Sequence, residues 1–123
     1  MTKVLVVDDS INELELISDY LRKNGYTVIT ATDAKEALNK ATEHSPNVIV
    51  TDLVMPGMNG LEMCRTLKQD PTTQKVPIVA CTSKSGDIDR LWAMKQGVDM
   101  YVTKPFTQEQ LLNAVRYSLS QNG

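Results

Sequence analysis

Five short apolar, β-rich runs recur along the chain, at Lys3–Val7, Thr27–Thr30, Val48–Thr51, Val76–Cys81 and Met100–Thr103, and each is followed by a stretch long enough for a helix and patterned at helical spacing. This fivefold strand–helix alternation narrows the fold more than any other feature. The runs read as continuous Val, Ile and Leu rather than alternating, as parallel strands do when helices cover both faces. The expectation is an α/β fold: a doubly wound five-stranded parallel sheet, (βα)5, in strand order 2-1-3-4-5. With 123 residues, one domain spanning 1–123 is expected.

The punctuation follows the same period. Ser10 with Glu13, Asp33 with Glu36, Asn59 with Glu62 and Thr107 with Gln110 each place a capping side chain three residues before a Glu or Gln. Gly25 and Gly97 fall where a left-handed residue ends the first and fourth helices, and Pro46 and Pro77 stand at strand entries. Apolar stripes at Leu14, Ile17 and Leu21, at Ala34, Ala37, Leu38 and Ala41, at Ile88, Leu91 and Trp92, and at Leu112, Val115 and Leu119 are read as core.

In such a sheet ligands bind outside the carboxyl ends of the strands. Taken in turn, those ends carry Asp8 and Asp9, then Asp52, then Thr82 and Ser83, then Lys104 and Pro105. Only the second strand ends on nothing ionic, which suits an edge position. Three carboxylates on one edge repel unless a hard cation or protons neutralise them, and Mg²⁺ is the economical answer. Mg²⁺ keeps waters and takes one or two carboxylates plus phosphate oxygens, so an open acidic pocket points to phosphoryl transfer. A carboxylate can itself be the nucleophile. Asp52 is the candidate, because it ends a buried-looking strand and a turn-rich loop exposes it. Asp8 and Asp9 then hold the metal, Lys104 supplies a compact positive charge and Thr82 a hydroxyl donor. The charge-rich first helix, with Glu13, Glu15 and Asp19, reads as a solvated face that deepens the negative field. Met55 and Met58 read as loop packing, because a hard cation prefers oxygen. The sole histidine, His44, reads as a helix-end residue.

Composition removes several other functions. The net charge is −2 with no basic run, which argues against direct nucleic-acid binding. No apolar run approaches the ~20 residues of a membrane span and no secretory core follows Lys3, so a cytoplasmic location is expected. Cys64 and Cys81 belong to no metal-ligand or CxxC pattern and are expected as buried thiols. Neither GxxxxGK[ST] nor GxGxxG occurs.

The segments Val4-Leu-Val-Val-Asp8-Asp9-Ser10, Asp52 followed by Met55-Pro56-Gly57-Met58-Asn59-Gly60, Thr82 and Lys104-Pro105-Phe106 together resemble the receiver domain of two-component response regulators, of the single-domain chemotaxis-regulator type. The resemblance covers essentially the whole chain and implies a flavodoxin-like fold. It implies that Asp8, Asp9, Asp52 and the backbone carbonyl of Val54 coordinate Mg²⁺, and that Asp52 accepts phosphate from a histidine kinase. Lys104 and Thr82 would bind the phosphoryl group, and a cis Lys104–Pro105 bond would aim the lysine. By the same resemblance Thr82 and Tyr101 form the switch, and the fourth helix, fifth strand and fifth helix present the output face to a downstream protein. Val54 and Lys84, two residues beyond Asp52 and Thr82, would tune phosphate lifetime. The stretch Asp87–Gly97, with Trp92, resembles regulators of type IV pilus twitching and related taxis systems. Two other readings stand beside the receiver or its use as a phosphorelay intermediate. One is a pseudo-receiver that binds without phosphate. The other, an aspartate-nucleophile phosphohydrolase, is disfavoured because Val54 stands where that family needs a second Asp.

Overall fold

A computed structural model of the chain describes residues 1–55, 57 and 59–121, so the readings made for Pro56 and Met58 lie outside the described residues. The chain runs β1 (Lys3–Val7), α1 (Ile11–Lys23), β2 (Thr27–Ala31), α2 (Ala34–His44), β3 (Val48–Thr51), α3 (Gly60–Gln69), β4 (Ile78–Thr82), α4 (Asp87–Lys95), β5 (Met100–Thr103) and α5 (Gln108–Gln121). All strands pair in parallel, in the order β2-β1-β3-β4-β5. The doubly wound fold is therefore as the alternation predicts.

The continuous apolar runs are explained by strand geometry. Successive side chains point to opposite faces, so one run feeds two cores. Leu5, Val7, Ile49, Ile78 and Ala80 face the side that α2 and α3 cover with Ala34, Ala37, Ala41, Met63, Cys64 and Leu67. Val4, Val6, Val48, Val50, Val79 and Cys81 face the side that α1 and α5 cover with Leu14, Ile17, Leu21, Leu111 and Val115.

Four helix starts are capped as the spacing predicts. Ser10, Asp33, Asn59 and Thr107 each accept from the backbone N–H three residues on. At Thr107 the box is reciprocal, since Gln110 accepts from the Thr107 N–H at 2.9 Å. At Asp33 it is not, because the Glu36 carboxylate reaches one residue further back to the Thr32 N–H at 2.7 Å. Gly25 and Gly97 have φ of 88° and 102°, the left-handed turns expected there. His44 closes α2, as read.

Two sequence expectations are corrected. The fourth strand begins at Ile78 and reaches Thr82, rather than spanning Val76–Cys81, because the Val76 N–H is spent on the Thr73 carbonyl in a turn and Pro77 has none to offer. The α4 stripe is not core. Ile88, Leu91 and Trp92 are 71%, 56% and 53% exposed, and Ala93 is the only buried residue of that helix. Their spacing does put them on one side of the helix, but that side faces solvent, and periodicity cannot distinguish the two cases.

Burial pushes the Cys64 and Cys81 thiols up to about 12, so both stay protonated at neutral pH. Both are expected to resist iodoacetamide at pH 8 in the folded protein and to react once urea unfolds it. Mass spectrometry after each treatment checks this, and modification in native buffer would contradict the burial.

Candidate functional site

Register brings the acidic residues together. Val7 of β1 lies opposite Thr51 of β3, so Asp8 and Asp52 leave adjacent strands side by side. One further backbone bond on each extends the ladder past the strand ends, from Asp52 N–H to the Val7 carbonyl at 3.0 Å and from Asp8 N–H to the Ala31 carbonyl at 3.2 Å. The adjacent Asp9 completes the group: Asp8, Asp9 and Asp52 each offer a carboxylate oxygen, and those three atoms lie within 4.8 Å of one another.

Lys104 enters from β5. Its N–H bonds the Thr82 carbonyl at 2.9 Å, the peptide bond to Pro105 is cis, and its ammonium reaches Asp8 Oδ2 at 2.9 Å and Asp52 Oδ2 at 3.0 Å. The other oxygen of each carboxylate accepts a backbone N–H, Asp8 Oδ1 from Ser10 at 2.9 Å and Asp52 Oδ1 from Val54 at 3.0 Å. Each carboxylate is thus held at both ends, and Asp8, 1% exposed, is paired as a buried charge must be. Desolvation, the largest influence on Lys104, lowers its pKa, but the hydrogen bonds and charges of Asp8 and Asp52 together outweigh it and leave the lysine above its ordinary value.

Thr82 and Tyr101 stand one step from the acids. Thr82 is fully buried, and its hydroxyl accepts from the Lys84 N–H at 3.3 Å. The Tyr101 hydroxyl donates to the carbonyl of the same Lys84. Lys84 therefore links the two residues read as a switch. The Tyr101 ring is already engaged with the loop after β4, and burial, with help from Asp89, raises its pKa. Val54 gives its N–H to Asp52 while the residue is 52% exposed, and Met55 is buried in the core beside α2 and α3.

Three contributors escaped the sequence reading in these roles. Glu13, read as part of a solvated face, lies 3.9 Å from the Lys104 ammonium. Arg90 lies over the Tyr101 ring at 4.9 Å. Gly60, quoted only within a motif, packs against the backbone of Asp52 and Leu53. Glu13 carried a usable signal, since it sits one turn past the acidic pair at the start of a capped helix. Arg90 and Gly60 depend on how the loops after β3 and β4 lie, which no spacing announces.

The fold and this acid–lysine edge are those of a phosphate-signalling module. Residues 4–116 match the response regulator receiver domain, and the chain belongs to that family. Among particular relatives, it is 34% identical over 120 residues to Protein PilH of Pseudomonas aeruginosa, covering 98% of this chain and 99% of that one. It is 38% identical to the alkaline phosphatase synthesis transcriptional regulatory protein PhoP of Bacillus subtilis, covering 98% of this chain and 49% of that protein, so it spans about half of PhoP. Chemotaxis protein CheY4 of Vibrio cholerae superposes with a TM-score of 0.92 at 34% identity, over 97% of this chain and 99% of that one.

Receiver domains are signalling modules that accept a phosphoryl group and bind Mg²⁺ at an acidic pocket. The donor set here fits that ion: three carboxylates, all oxygen ligands, clustered tightly and open to solvent on the Asp9 side. Among the described residues no helix is long and apolar enough to cross a membrane.

Proposed function

We propose that this chain is a phosphorylation switch in which Asp52 accepts a phosphoryl group from the phosphohistidine of a histidine kinase. The observation that carries this reading is the Lys104 ammonium bridging Asp8 and Asp52 beside Asp9. An oxygen of Asp52 attacks phosphorus, the O–P bond forms as the P–N bond breaks, and the electron pair leaves with the imidazole. Asp8, Asp9, Asp52 and the Val54 carbonyl are the residues that would hold Mg²⁺. The ion would supply charge neutralisation for the phosphoryl oxygens. Lys104 and the Thr82 hydroxyl bind those oxygens, and Asp8 keeps the ammonium aimed at the nucleophile.

Phosphorylation then biases Thr82 and Tyr101 through Lys84, and the α4–β5–α5 face carries the change to a downstream protein. The reaction is single-turnover on the chain itself, followed by slow self-dephosphorylation, so the protein is a signalling acceptor rather than an enzyme with a released substrate. A cytoplasmic setting follows from a kinase donor. A motility or taxis pathway is supported by the chemotaxis protein among the structural relatives.

The test is intact mass after acetyl phosphate treatment, with and without Mg²⁺, on wild type and Asp52→Asn. One phosphoryl adduct that needs both Mg²⁺ and Asp52 is the expected result. Folded protein without an adduct would favour the phosphate-independent pseudo-receiver. Lifetime is a separate expectation: the branched, half-exposed Val54 and the long Lys84 flank Asp52 and Thr82, so they shield the acyl phosphate. Val54→Asn with Lys84→Glu is expected to shorten the phosphate half-life several-fold, on the order of 1 kcal/mol of barrier. An unchanged half-life would remove the shielding role.

A further inference from the structure

The helix that bears the output face is poorly anchored. α4 is preceded by Gly86 at its N-cap, which offers no side-chain cap, and buries only Ala93, while Ile88, Leu91, Trp92 and Met94 are exposed. Few buried contacts and no cap place a helix at the low end of local stability. Something other than a core stripe must tie its middle to the sheet.

Arg90 makes that tie. Its guanidinium lies over the Tyr101 ring at 4.9 Å, within the range of a cation–π contact. Tyr101 also packs against the core beside α2 and α3 and donates its hydroxyl to the Lys84 carbonyl. Tyr101 lines two spaces, an open groove of about 780 Å³ shared with Arg90, Lys104 and Tyr117, and a crevice of about 170 Å³ shared with Leu53, Val54, Leu61 and Trp92. Arg90 lines the groove and Trp92 the crevice, so α4 borders both spaces.

We propose that Arg90 is a positioning residue that couples α4 to the switch: by stacking on Tyr101 it keeps the ring bonded to Lys84 and holds the middle of the helix against β5 before any phosphate arrives. Because Lys84 also binds Thr82, a force on Arg90 is felt at the acidic site and the reverse. The link to phosphate rests on the proposed function; the link to α4 does not.

A double-mutant cycle tests this, using Arg90→Met, Arg90→Lys, Tyr101→Leu and the Arg90→Met/Tyr101→Leu pair. The first readout is amide hydrogen exchange of α4 without phosphate, together with the Tyr101 ring proton shifts by NMR. Arg90→Met is expected to speed α4 exchange about threefold to fivefold and to shift the ring protons, while leaving exchange in α1 and α5 unchanged. Arg90→Lys restores part of the protection, because a cation over the ring is retained. In the Tyr101→Leu background, Arg90→Met adds nothing. The second readout is the affinity for beryllofluoride with Mg²⁺, expected to weaken about threefold in Arg90→Met. Equal effects of Arg90→Met with and without the tyrosine, or no change in α4 exchange, would overturn the coupling. If wild type fails to bind beryllofluoride while the exchange results hold, the phosphate reading fails and the Arg90 role stands.

Discussion

Gly60→Ala is expected to cost about 3 kcal/mol or more of folding stability, at or above the upper end for overpacking. A Cβ at this position would lie 2.4 Å from the Leu53 Cα, 2.8 Å from the Leu53 carbonyl oxygen and 2.9 Å from that of Asp52. All three atoms are backbone, so no side chain can swing away. Gly60 is also the first residue of α3, and its N–H bonds the Leu53 carbonyl at 3.0 Å, so helix and loop are locked face to face. Relief would require moving the loop that leaves β3, and Asp52 begins that loop. The substitution should therefore also slow phosphoryl transfer in whatever fraction remains folded. Gly57→Ala is the matched control. Gly57 has a φ of 82°, but an added Cβ there meets no described atom within 4 Å, so only the conformational cost of about 1 kcal/mol applies. Urea titrations of both variants separate steric from conformational strain, and a Gly60→Ala loss no larger than that of Gly57→Ala would refute the close approach.

That contrast shows what the sequence made legible. Strand order, capped starts and the glycine turns follow from local pattern, because each rests on residues within a few positions of one another or on handedness rules shared by all parallel sheets. The acidic edge was legible for the same reason: once the runs are parallel strands, their carboxyl ends must share one edge, and Asp8, Asp9, Asp52 and Lys104 meet there. Residues whose role depends on loop path were not legible. Gly60 matters because of where Leu53 turns, and Arg90 because of where Tyr101 points. The stripe of Ile88, Leu91 and Trp92 misled for a related reason. A pattern of apolar residues says that one face differs from the other, and in α4 that face looks outward.

Lys104→Met is expected to lower stability by about 3 kcal/mol in EDTA, the low end for breaking a buried ion pair, and to recover most of that loss in Mg²⁺. The lysine side chain is mostly buried, and it alone among the described cations bridges Asp8 and Asp52. Without it, a fully buried carboxylate faces two others within 4.8 Å with no compensating charge. Methionine keeps the chain length and apolar stem, so packing changes little and the effect isolates the ammonium. A divalent cation on the same carboxylates supplies the missing charge, and at a hundred times its Kd contributes about 2.7 kcal/mol. Wild type, already partly neutralised by Lys104, should bind Mg²⁺ more weakly than the variant. Recovery of folding must not bring recovery of function, because the ammonium that would meet the phosphoryl oxygens beside the ion is gone: acetyl phosphate should label the variant far more slowly even when Mg²⁺ has restored it. The sign with pH follows from the raised Lys104 pKa. Its stabilising contribution is fully present below the ordinary lysine value of 10.5 and is lost only as pH rises through the higher folded value. The wild-type advantage should therefore be flat from pH 6 to 9 and shrink in strongly alkaline buffer. Paired urea titrations in EDTA and Mg²⁺ decide the matter. Equal stability of the two proteins in EDTA, or an equal Mg²⁺ increment in both, would mean that Lys104 does not neutralise this site.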